Sequence, residues 1–510
     1  MTKLIIIGID GATFDLFGPW VDQGELPTIK KLIDEGTHGR LESCQPPVTC
    51  PAWKCFSTGK NPAKLGIFWW RQIDVKRRKI IGCNPKLVNS RDFWDYIGEA
   101  GYKSVILGMP LTYPKRDMIN TILIAGGPFT DANNYTYPPE LKTELENKFN
   151  YKLHPNSNFS EKTEEVLNEL LELINLRFEV AKYLLDKENP DLLNVTCFYI
   201  NALQHFCWNE EPIREAWKFI DKKIGELIRE VNEDFNVIIM SDHGISEIKR
   251  EFYINTWLMK EGYLKIKGDT AIRFKLKINE IIKKHPKLIS LIWHFIPKSI
   301  KQHISVVEVP CKTPSEFEKR INWEKSTAIA TAQGPLYLII SQNDERYEKI
   351  RDEIAKKLKK LKDPITGKTV IREIYKKKEI YKGPYLDVAP DLILESEPEY
   401  WIREGLIGID DIFGYSGIWK ATNSKEGTFI AYGSDIKQGI EIENVKIIDL
   451  APTILHMMGI LIPKDMDGRV LKEIFKEESE PAKRPIKYRE VNQKERLKER
   501  IKKLKTTGKI

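Results

Sequence analysis

Leu4-Ile5-Ile6-Ile7-Gly8-Ile9-Asp10-Gly11 is a short apolar run that ends in an acidic residue near the start of the chain. A run of this length that ends in an acid is typical of a first β-strand and not of a signal peptide. A carboxylate directly after such a strand is well placed to hold a cation, although a turn or helix-capping role would give Asp10 the same position. This stretch therefore predicts both a buried strand and a candidate ligand at its carboxyl end.

Further apolar runs resemble buried parallel strands, and helical stretches separate them. The clearest helix is predicted over Glu161–Lys187, where Val166, Leu170 and Ile174 fall on one face. This alternation predicts an α/β fold with a doubly wound, mostly parallel sheet and helices on both faces. Ligands of such sheets bind at the carboxyl ends of the strands. The runs are Ser104–Leu107, Leu192–Tyr199, Val237–Met240 and Phe429–Tyr432.

Composition sets the broad class of the protein. The 510 residues are too many for one ordinary core, and a net charge of +8 is mild for this length and does not indicate specific nucleic-acid binding. Seven scattered cysteines without a CxxC pair favour a reducing compartment, and no apolar stretch reaches the length of a membrane span. We therefore expect a cytoplasmic protein without a transmembrane segment.

Two stretches interrupt the alternation and are interpreted as cap insertions. The predicted catalytic core covers residues 1–250 and 385–475, a partly helical insertion covers 251–334, a small αβ cap unit covers 335–384, and a charged tail covers 476–510. The tail is interpreted as a solvated helix or as disordered. Within the first insertion, the apolar segment Leu288–Ile296 is flanked by lysines. It fits a cap helix packed on the core, or a membrane-surface contact.

A proline-rich segment, Pro46-Pro47-Val48-Thr49-Cys50-Pro51-Ala52-Trp53, predicts the start of a helix. Because Pro51 suits the first helical turn, Thr49 or Cys50 lies near the N-cap. A hydroxyl there sits at the positive end of the helix dipole, where a phosphate or an alkoxide is favoured. Plain N-capping by Thr49 is the alternative interpretation.

Two strand ends carry candidate metal ligands. Ser241-Asp242-His243-Gly244 follows a buried strand, and a carboxylate beside an imidazole suits zinc or manganese. Asn201 and His205 follow another strand and share a face if the segment is helical. A buried structural histidine is the alternative for His205.

These segments, in this order, resemble the alkaline phosphatase superfamily, and specifically its type I phosphodiesterase/nucleotide pyrophosphatase family. The resemblance spans roughly residues 1–250 and 385–475. It rests on Gly8-Ile9-Asp10-Gly11, the block Pro46–Gly66, Ser241-Asp242-His243-Gly244, Asp449-Leu450-Ala451-Pro452-Thr453-Ile454-Leu455 and Met466-Asp467-Gly468-Arg469.

The resemblance implies a hydrolase with two divalent metals, usually zinc, about 4 Å apart. Manganese and magnesium are the alternatives. By resemblance, Asp10, Asp242 and His243 hold one metal, which also binds and activates Thr49. Thr49 would attack phosphorus in line and form a phospho-threonine intermediate, with Cys50 as a minor alternative. The second metal would stabilise the leaving oxygen and then activate water.

The second metal site departs from the family pattern. The family's second site has an Asp, a His and a further His near the end of the core. Here Asn201 stands at the position of the Asp, and the first His is kept as His205. The position of the further His falls on Trp419 or on Asn423, depending on whether the residues are counted forward or backward along the chain. We therefore expect one tight metal and one weak or absent metal. The expected substrate is small and phosphorylated: a nucleotide, a phosphodiester, or a phospholipid or glycan phosphate. A degenerate member that binds such a ligand without turnover, and a phosphotransferase, are the alternative functions.

Overall fold

The structure of the chain is a computed structural model. It describes residues 3–83, 88, 90–113, 118–128, 130–156, 164–231, 235–267, 318–405, 411–417 and 419–491. The lysine-flanked segment Leu288–Ile296 lies outside these residues. Within them, no helix combines the length and the apolar character needed to span a membrane.

The strands, numbered in chain order, are β1 (Lys3–Ile9), β2 (Thr37–Glu42), β3 (Arg71–Asp74), β4 (Lys79–Gly82), β5 (Ser104–Pro110), β6 (Thr121–Gly126), β7 (Thr136–Tyr137), β8 (Leu192–Cys197), β9 (Phe235–Met240), β10 (Gly244–Tyr253), β11 (Ala328–Ala330), β12 (Pro335–Leu338), β13 (Ile371–Lys376), β14 (Leu392–Ser396), β15 (Glu399–Arg403), β16 (Phe413–Gly414), β17 (Ala421–Ser424), β18 (Glu426–Tyr432), β19 (Ile440–Glu441), β20 (Val445–Lys446), β21 (Ile462–Pro463) and β22 (Tyr488–Arg489). The α-helices are α1 (Phe14–Asp22), α2 (Pro27–Asp34), α3 (Thr49–Thr58), α4 (Pro62–Leu65), α5 (Phe93–Glu99), α6 (Leu141–Phe149), α7 (Glu164–Glu188), α8 (Ile200–Phe206), α9 (Glu211–Arg229), α10 (Ile254–Lys260), α11 (Tyr347–Lys359), α12 (Lys377–Ile380), α13 (Leu450–Met457) and α14 (Glu480–Lys483).

The chain divides into two units. The first comprises residues 1–65, 85–245 and 424–510, and the second comprises 66–84 and 246–423. The core ranges taken from the sequence, 1–250 and 385–475, include residues 66–84, 246–250 and 385–423, which the structure groups with the second unit.

A large sheet organises the first unit, with the strand order β19-β2-β18-β9-β1-β8-β5-β6-β7. The five central strands, in the order β9-β1-β8-β5-β6, are parallel to one another, which confirms the predicted mostly parallel sheet. The prediction for Phe429–Tyr432 was wrong in direction, because β18 runs antiparallel to both β9 and β2. A buried strand is apolar in either direction, so its composition does not reveal its orientation.

Successive side chains along β1 point to opposite faces of this sheet. Ile5, Ile7 and Ile9 belong to one core, which includes residues of α1, α2, α7 and α9. Leu4 and Ile6 belong to the other, which includes residues of α3, α5 and α13. Helices therefore cover both faces, as the sequence predicts.

The second unit has a core of its own, formed by residues such as Trp257, Tyr337, Ile354 and Leu392. It contains the sheet β11-β12-β14-β13, the sheet β15-β10-β16 with β17 paired to β10, and the hairpin β3-β4. The predicted strand and helix of the small αβ unit are present as β12 and α11.

The first part of the charged tail is folded, contrary to the expectation of a solvated helix or disorder. Strand β22 pairs with β21, and α14 contributes the buried Pro481. Arg484 Nη1 donates to the carbonyl of His456 over 2.7 Å, and His456 Nε2 donates to the carbonyl of Pro481 over 2.8 Å. These backbone carbonyls accept hydrogen bonds from the side chains of Arg484 and His456. Because the polar groups are satisfied in this way, a highly charged segment can pack against the core.

Candidate active site

Asp10 is fixed at the carboxyl end of β1 by contacts through its backbone and its side chain. Its N–H donates to the carbonyl of Cys197 over 3.2 Å, and its carbonyl accepts from Gln204 Nε2 over 3.1 Å. Its Oδ2 accepts a hydrogen bond of 3.0 Å from the indole N–H of Trp53. The carboxylate is completely buried and held in one orientation.

Asp242 and His243 follow β9, the strand next to β1. The Asp242 carbonyl accepts from Ser43 Oγ over 2.6 Å, and its Oδ1 accepts from the N–H of Gly11 over 3.3 Å. His243 Nδ1 donates to the carbonyl of Gly244 over 2.8 Å, which leaves Nε2 as the nitrogen with a lone pair. A Cβ on Gly244 would lie 2.0 Å from the carbonyl oxygen of Glu426, so close backbone approach requires glycine at this position.

Thr49 is the first residue of α3, with Val48 as the N-cap. Its hydroxyl oxygen Oγ1 lies 3.1 Å from His243 Nε2. The side chain is therefore at the positive end of a ten-residue helix and beside the imidazole nitrogen that carries a lone pair.

Asp10, Asp242 and His243 form a group that fits a divalent cation. One ligand atom from each lies within 4.8 Å of the others. His243 Nε2 is 3.6 Å from Asp10 Oδ1 and 3.3 Å from Asp242 Oδ2. These two carboxylate oxygens are buried, and neither accepts a hydrogen bond from the described part of the chain. Because buried polar atoms are normally satisfied, two orphaned oxygens beside an imidazole nitrogen fit a bound metal.

Electrostatics support the same conclusion. Burial raises the pKa of Asp10 to about 8, partly opposed by hydrogen bonds from Trp53 and the Asn201 amide. Burial and the charge of Asp10 raise the pKa of Asp242 well above its usual range. Burial, with a contribution from the charge of His205, lowers the pKa of His243 to about 3. Two adjacent buried carboxylates resist ionising together, and a dication is the partner that would favour both charges.

Asn201 and His205 lie on α8 and are both buried. The Asn201 oxygen Oδ1 is buried without a hydrogen bond from the described residues, and a Cβ on Gly11 would lie 2.5 Å from it. The structure therefore brings Asn201 next to the backbone that follows Asp10. Asn423 lies on β17 and Trp419 precedes this strand. Both residues belong to the second unit. A metal-binding role for either residue stays a prediction.

Sequence reasoning missed the residues that hold the ligands in place: Trp53, Gln204 and Ser43. Trp53 stands four residues after Thr49 on α3, and side chains at this spacing share a helix face. That spacing could have indicated that Trp53 faces the same site as the threonine. No local pattern indicates the roles of Gln204 and Ser43.

Replacing Trp53 by phenylalanine tests the hydrogen bond to Asp10. We expect metal affinity to fall about tenfold, because losing a partner that orients a ligand typically has this effect. Isothermal titration calorimetry with zinc measures the change. Trp94→Phe is the matched control, since Trp94 is also fully buried and its indole N–H has no hydrogen bond within the described residues. Equal affinities in the two variants would contradict an orienting role for Trp53.

The mostly parallel sheet and the group of two carboxylates and an imidazole at its carboxyl edge define an α/β protein with a candidate metal site. The family model for type I phosphodiesterase/nucleotide pyrophosphatase matches residues 4–408. The chain belongs to this family of phosphoester hydrolases, which generally depend on divalent metals.

Solved structures share the fold at low sequence identity. A phosphonoacetate hydrolase from Sinorhizobium meliloti, in complex with phosphonoformate, is 13% identical, with a TM-score of 0.55 over 88% of this chain and 94% of that chain. Murine ectonucleotide pyrophosphatase/phosphodiesterase 5 is 12% identical, with a TM-score of 0.51 over 93% of this chain and 100% of that chain. The human protein of the same name is 13% identical, with a TM-score of 0.50 over 90% and 95% of the two chains. Among curated protein sequences, no relative matches this chain.

Proposed function

We propose that this chain is a metal-dependent phosphodiesterase or nucleotide pyrophosphatase in which Thr49 is the nucleophile. The observation that carries the proposal is the position of Thr49 Oγ1, 3.1 Å from His243 Nε2 and at the start of α3. Cys50 is the next residue along the helix, but no cysteine Sγ belongs to the group of candidate ligands that Asp10, Asp242 and His243 form within the described residues. The geometry therefore favours the threonine hydroxyl.

The proposed reaction has two displacements at phosphorus. Thr49 Oγ1 releases its proton to solvent and forms a bond to phosphorus, while the bond to the leaving oxygen breaks and the leaving group departs with the bonding electron pair. Water then attacks phosphorus, the Thr49 ester bond breaks, and the threonine recovers a proton. A divalent cation held by Asp10, Asp242 and His243 would lower the pKa of the threonine hydroxyl and offset charge on the phosphoryl oxygens. The N-terminal N–H groups of α3 favour the same negative charge.

We propose zinc as the ion, with manganese and magnesium as the alternatives to be tested. Imidazole and carboxylate are ligands that zinc accepts. The second set of ligands is weaker, because Asn201 offers only a neutral amide oxygen beside His205. The protein is expected to hold one ion tightly and a second weakly or not at all, which equilibrium titration monitored by elemental analysis would measure.

The neutral Asn201 also favours the two alternative functions. A chain with one metal could bind a phosphorylated ligand without turnover, or transfer the phosphoryl group to an acceptor other than water. The substrate class extends from nucleotides and phosphodiesters to phospholipid or glycan phosphates. The cytoplasmic location inferred from the cysteines stays a prediction. The described cysteines form no disulfide bonds with one another.

A substrate panel separates these functions. Thymidine 5′-(4-nitrophenyl phosphate), 4-nitrophenyl phosphate and ATP would each be tested with zinc, manganese and magnesium, with and without glycerol as acceptor. Metal-dependent hydrolysis of the diester or of ATP supports the proposal. Turnover only with glycerol would instead identify a phosphotransferase, and tight binding without turnover would identify a degenerate member.

Asn201→Asp is expected to raise the affinity for the second metal about tenfold. The added carboxylate offsets the repulsion between two close dications, which the neutral amide cannot do. The diester hydrolysis rate is expected to rise with second-metal occupancy. Asn209→Asp is the matched control, since it adds the same charge at an exposed position. If the wild-type protein already binds two zinc ions tightly and Asn201→Asp lowers activity, then the amide is an adapted ligand and this account of the second site is wrong.

A further inference from the structure

A narrow pocket lies beside Asp10 at the same edge of the sheet. It is lined by residues at the carboxyl ends of β8, β5 and β6, among them Cys197, Gly108 and Gly126. These strands run parallel to β1, so their carboxyl ends lie at the edge that carries Asp10. The carbonyl of Cys197 accepts the N–H of Asp10 over 3.2 Å, which makes the pocket and the candidate metal site neighbours.

Two glycines in the wall of this pocket allow neighbouring strands to approach closely. A Cβ on Gly126 would lie 1.9 Å from the carbonyl oxygen of Gly108. Gly108 has a φ of +76°, and its Cβ would lie 2.7 Å from the carbonyl oxygen of Thr196. Neither position accepts a larger residue without moving the backbone. The pocket has room for about one water-sized group, which suits a single anionic oxygen better than a nucleobase.

Arg177, on α7, lines this pocket and is a buried cation. Only 5% of the surface of this residue is exposed to solvent. Two of its N–H groups donate to the carbonyls of Lys152, over 3.0 Å, and Leu153, over 2.9 Å, and its Cζ lies 4.6 Å from the centre of the Tyr151 ring. Within the described residues, no carboxylate pairs with it. Buried arginines are normally paired with an anion, so an anionic oxygen in the pocket would be a favourable partner for this guanidinium.

The guanidinium reaches the glycine wall. Arg177 Nε lies 3.6 Å from the position that a Cβ on Gly108 would occupy. A guanidinium has five N–H donors, and two of them are used by the carbonyls. In the part of the chain that the structure describes, donors therefore remain for an anionic oxygen in the pocket.

We propose that this pocket receives one oxygen of a second anionic group of the substrate, a phosphate or a carboxylate that lies at the pocket mouth and is remote from the reacting phosphorus. The inference rests on the proposed function and adds a substrate class to it. Strands β8, β5 and β6 are one, two and three positions from β1, which corresponds to about 5 to 15 Å at ordinary strand spacing. The substrate is thus a phosphodiester with a further charged group about one nucleoside away.

Two matched chromogenic substrates test this inference. Thymidine 5′-(4-nitrophenyl phosphate) and its 3′-phosphorylated form differ only in the second anionic group. We expect the wild-type protein to favour the 3′-phosphorylated substrate about tenfold in kcat/KM, mainly through KM, and Arg177→Met to remove this preference. Arg229→Met removes the same charge from an exposed position and is expected to keep the preference.

Arg177→Lys covers the case in which the methionine variant does not fold, because it keeps the charge but loses the forked donors. We expect it to reduce the preference too. If the wild-type protein hydrolyses neither substrate, the proposed function fails, and calorimetry with thymidine 3′,5′-bisphosphate and thymidine 5′-monophosphate still tests the pocket. Tighter binding of the bisphosphate that depends on Arg177 supports the inference. No preference in the wild-type protein, or an unchanged preference in a folded Arg177 variant, overturns it.

Discussion

Thr49→Ala is expected to lower kcat for thymidine 5′-(4-nitrophenyl phosphate) by about 10³-fold or more, because loss of a nucleophile removes the covalent route altogether. The side chain is buried and lies at the start of α3, where alanine is sterically smaller and leaves the helix N-cap at Val48 unchanged. Folding and metal content are therefore expected to stay as in the wild-type protein. Steady-state kinetics together with circular dichroism and elemental analysis measure these quantities.

Two variants control this experiment. Thr49→Ser keeps a hydroxyl and is expected to retain measurable turnover. Cys50→Ala changes the neighbouring residue of the same helix and is expected to retain most of the activity. If Thr49→Ala is active and Cys50→Ala is inactive, the nucleophile has been assigned to the wrong residue.

Asp242→Asn is expected to weaken binding of the first metal at least about tenfold and to lower activity in parallel, since it removes a charged ligand from a fully buried group. It also removes one of two adjacent buried carboxylates. The metal-free variant is therefore expected to have a higher melting temperature than the metal-free wild-type protein, and metal is expected to stabilise it less.

Thermal melts with and without zinc test both parts of this expectation. Asp22→Asn is the control, because Asp22 is exposed on α1 and distant in sequence from the ligands. Unchanged zinc affinity in Asp242→Asn would show that Asp10, Asp242 and His243 do not form a metal site.

The sequence predicts the ends of β1 and β9 well. Each is a short apolar run that ends in a candidate ligand, so the strand and the site share one local signal at Asp10 and at Asp242. Parallel pairing then brings the two carboxylates together, since the carboxyl ends of adjacent parallel strands meet at one edge. The helix start at Thr49 follows from Pro51 in the same local way.

Other parts of the fold depend on contacts between distant residues and give no local signal. Strand β2 contains His38, Gly39 and Arg40 and shows no apolar run, yet it pairs with β18 through backbone hydrogen bonds. On its other side, a Cβ on Gly39 would lie 2.2 Å from the carbonyl oxygen of Ile442, so glycine allows a close approach there. The direction of β18 and the hydrogen bond from Trp53 to Asp10 are likewise set by tertiary packing.

The stereochemical course at phosphorus tests the proposed mechanism most directly. The substrate is a single diastereomer of thymidine 5′-(4-nitrophenyl phosphorothioate), hydrolysed in ¹⁸O-labelled water, and the configuration of the product is then determined. Each in-line displacement inverts phosphorus, so attack by Thr49 followed by attack by water gives net retention. Net inversion would mean that water attacks the substrate directly, and it would contradict a covalent intermediate on Thr49.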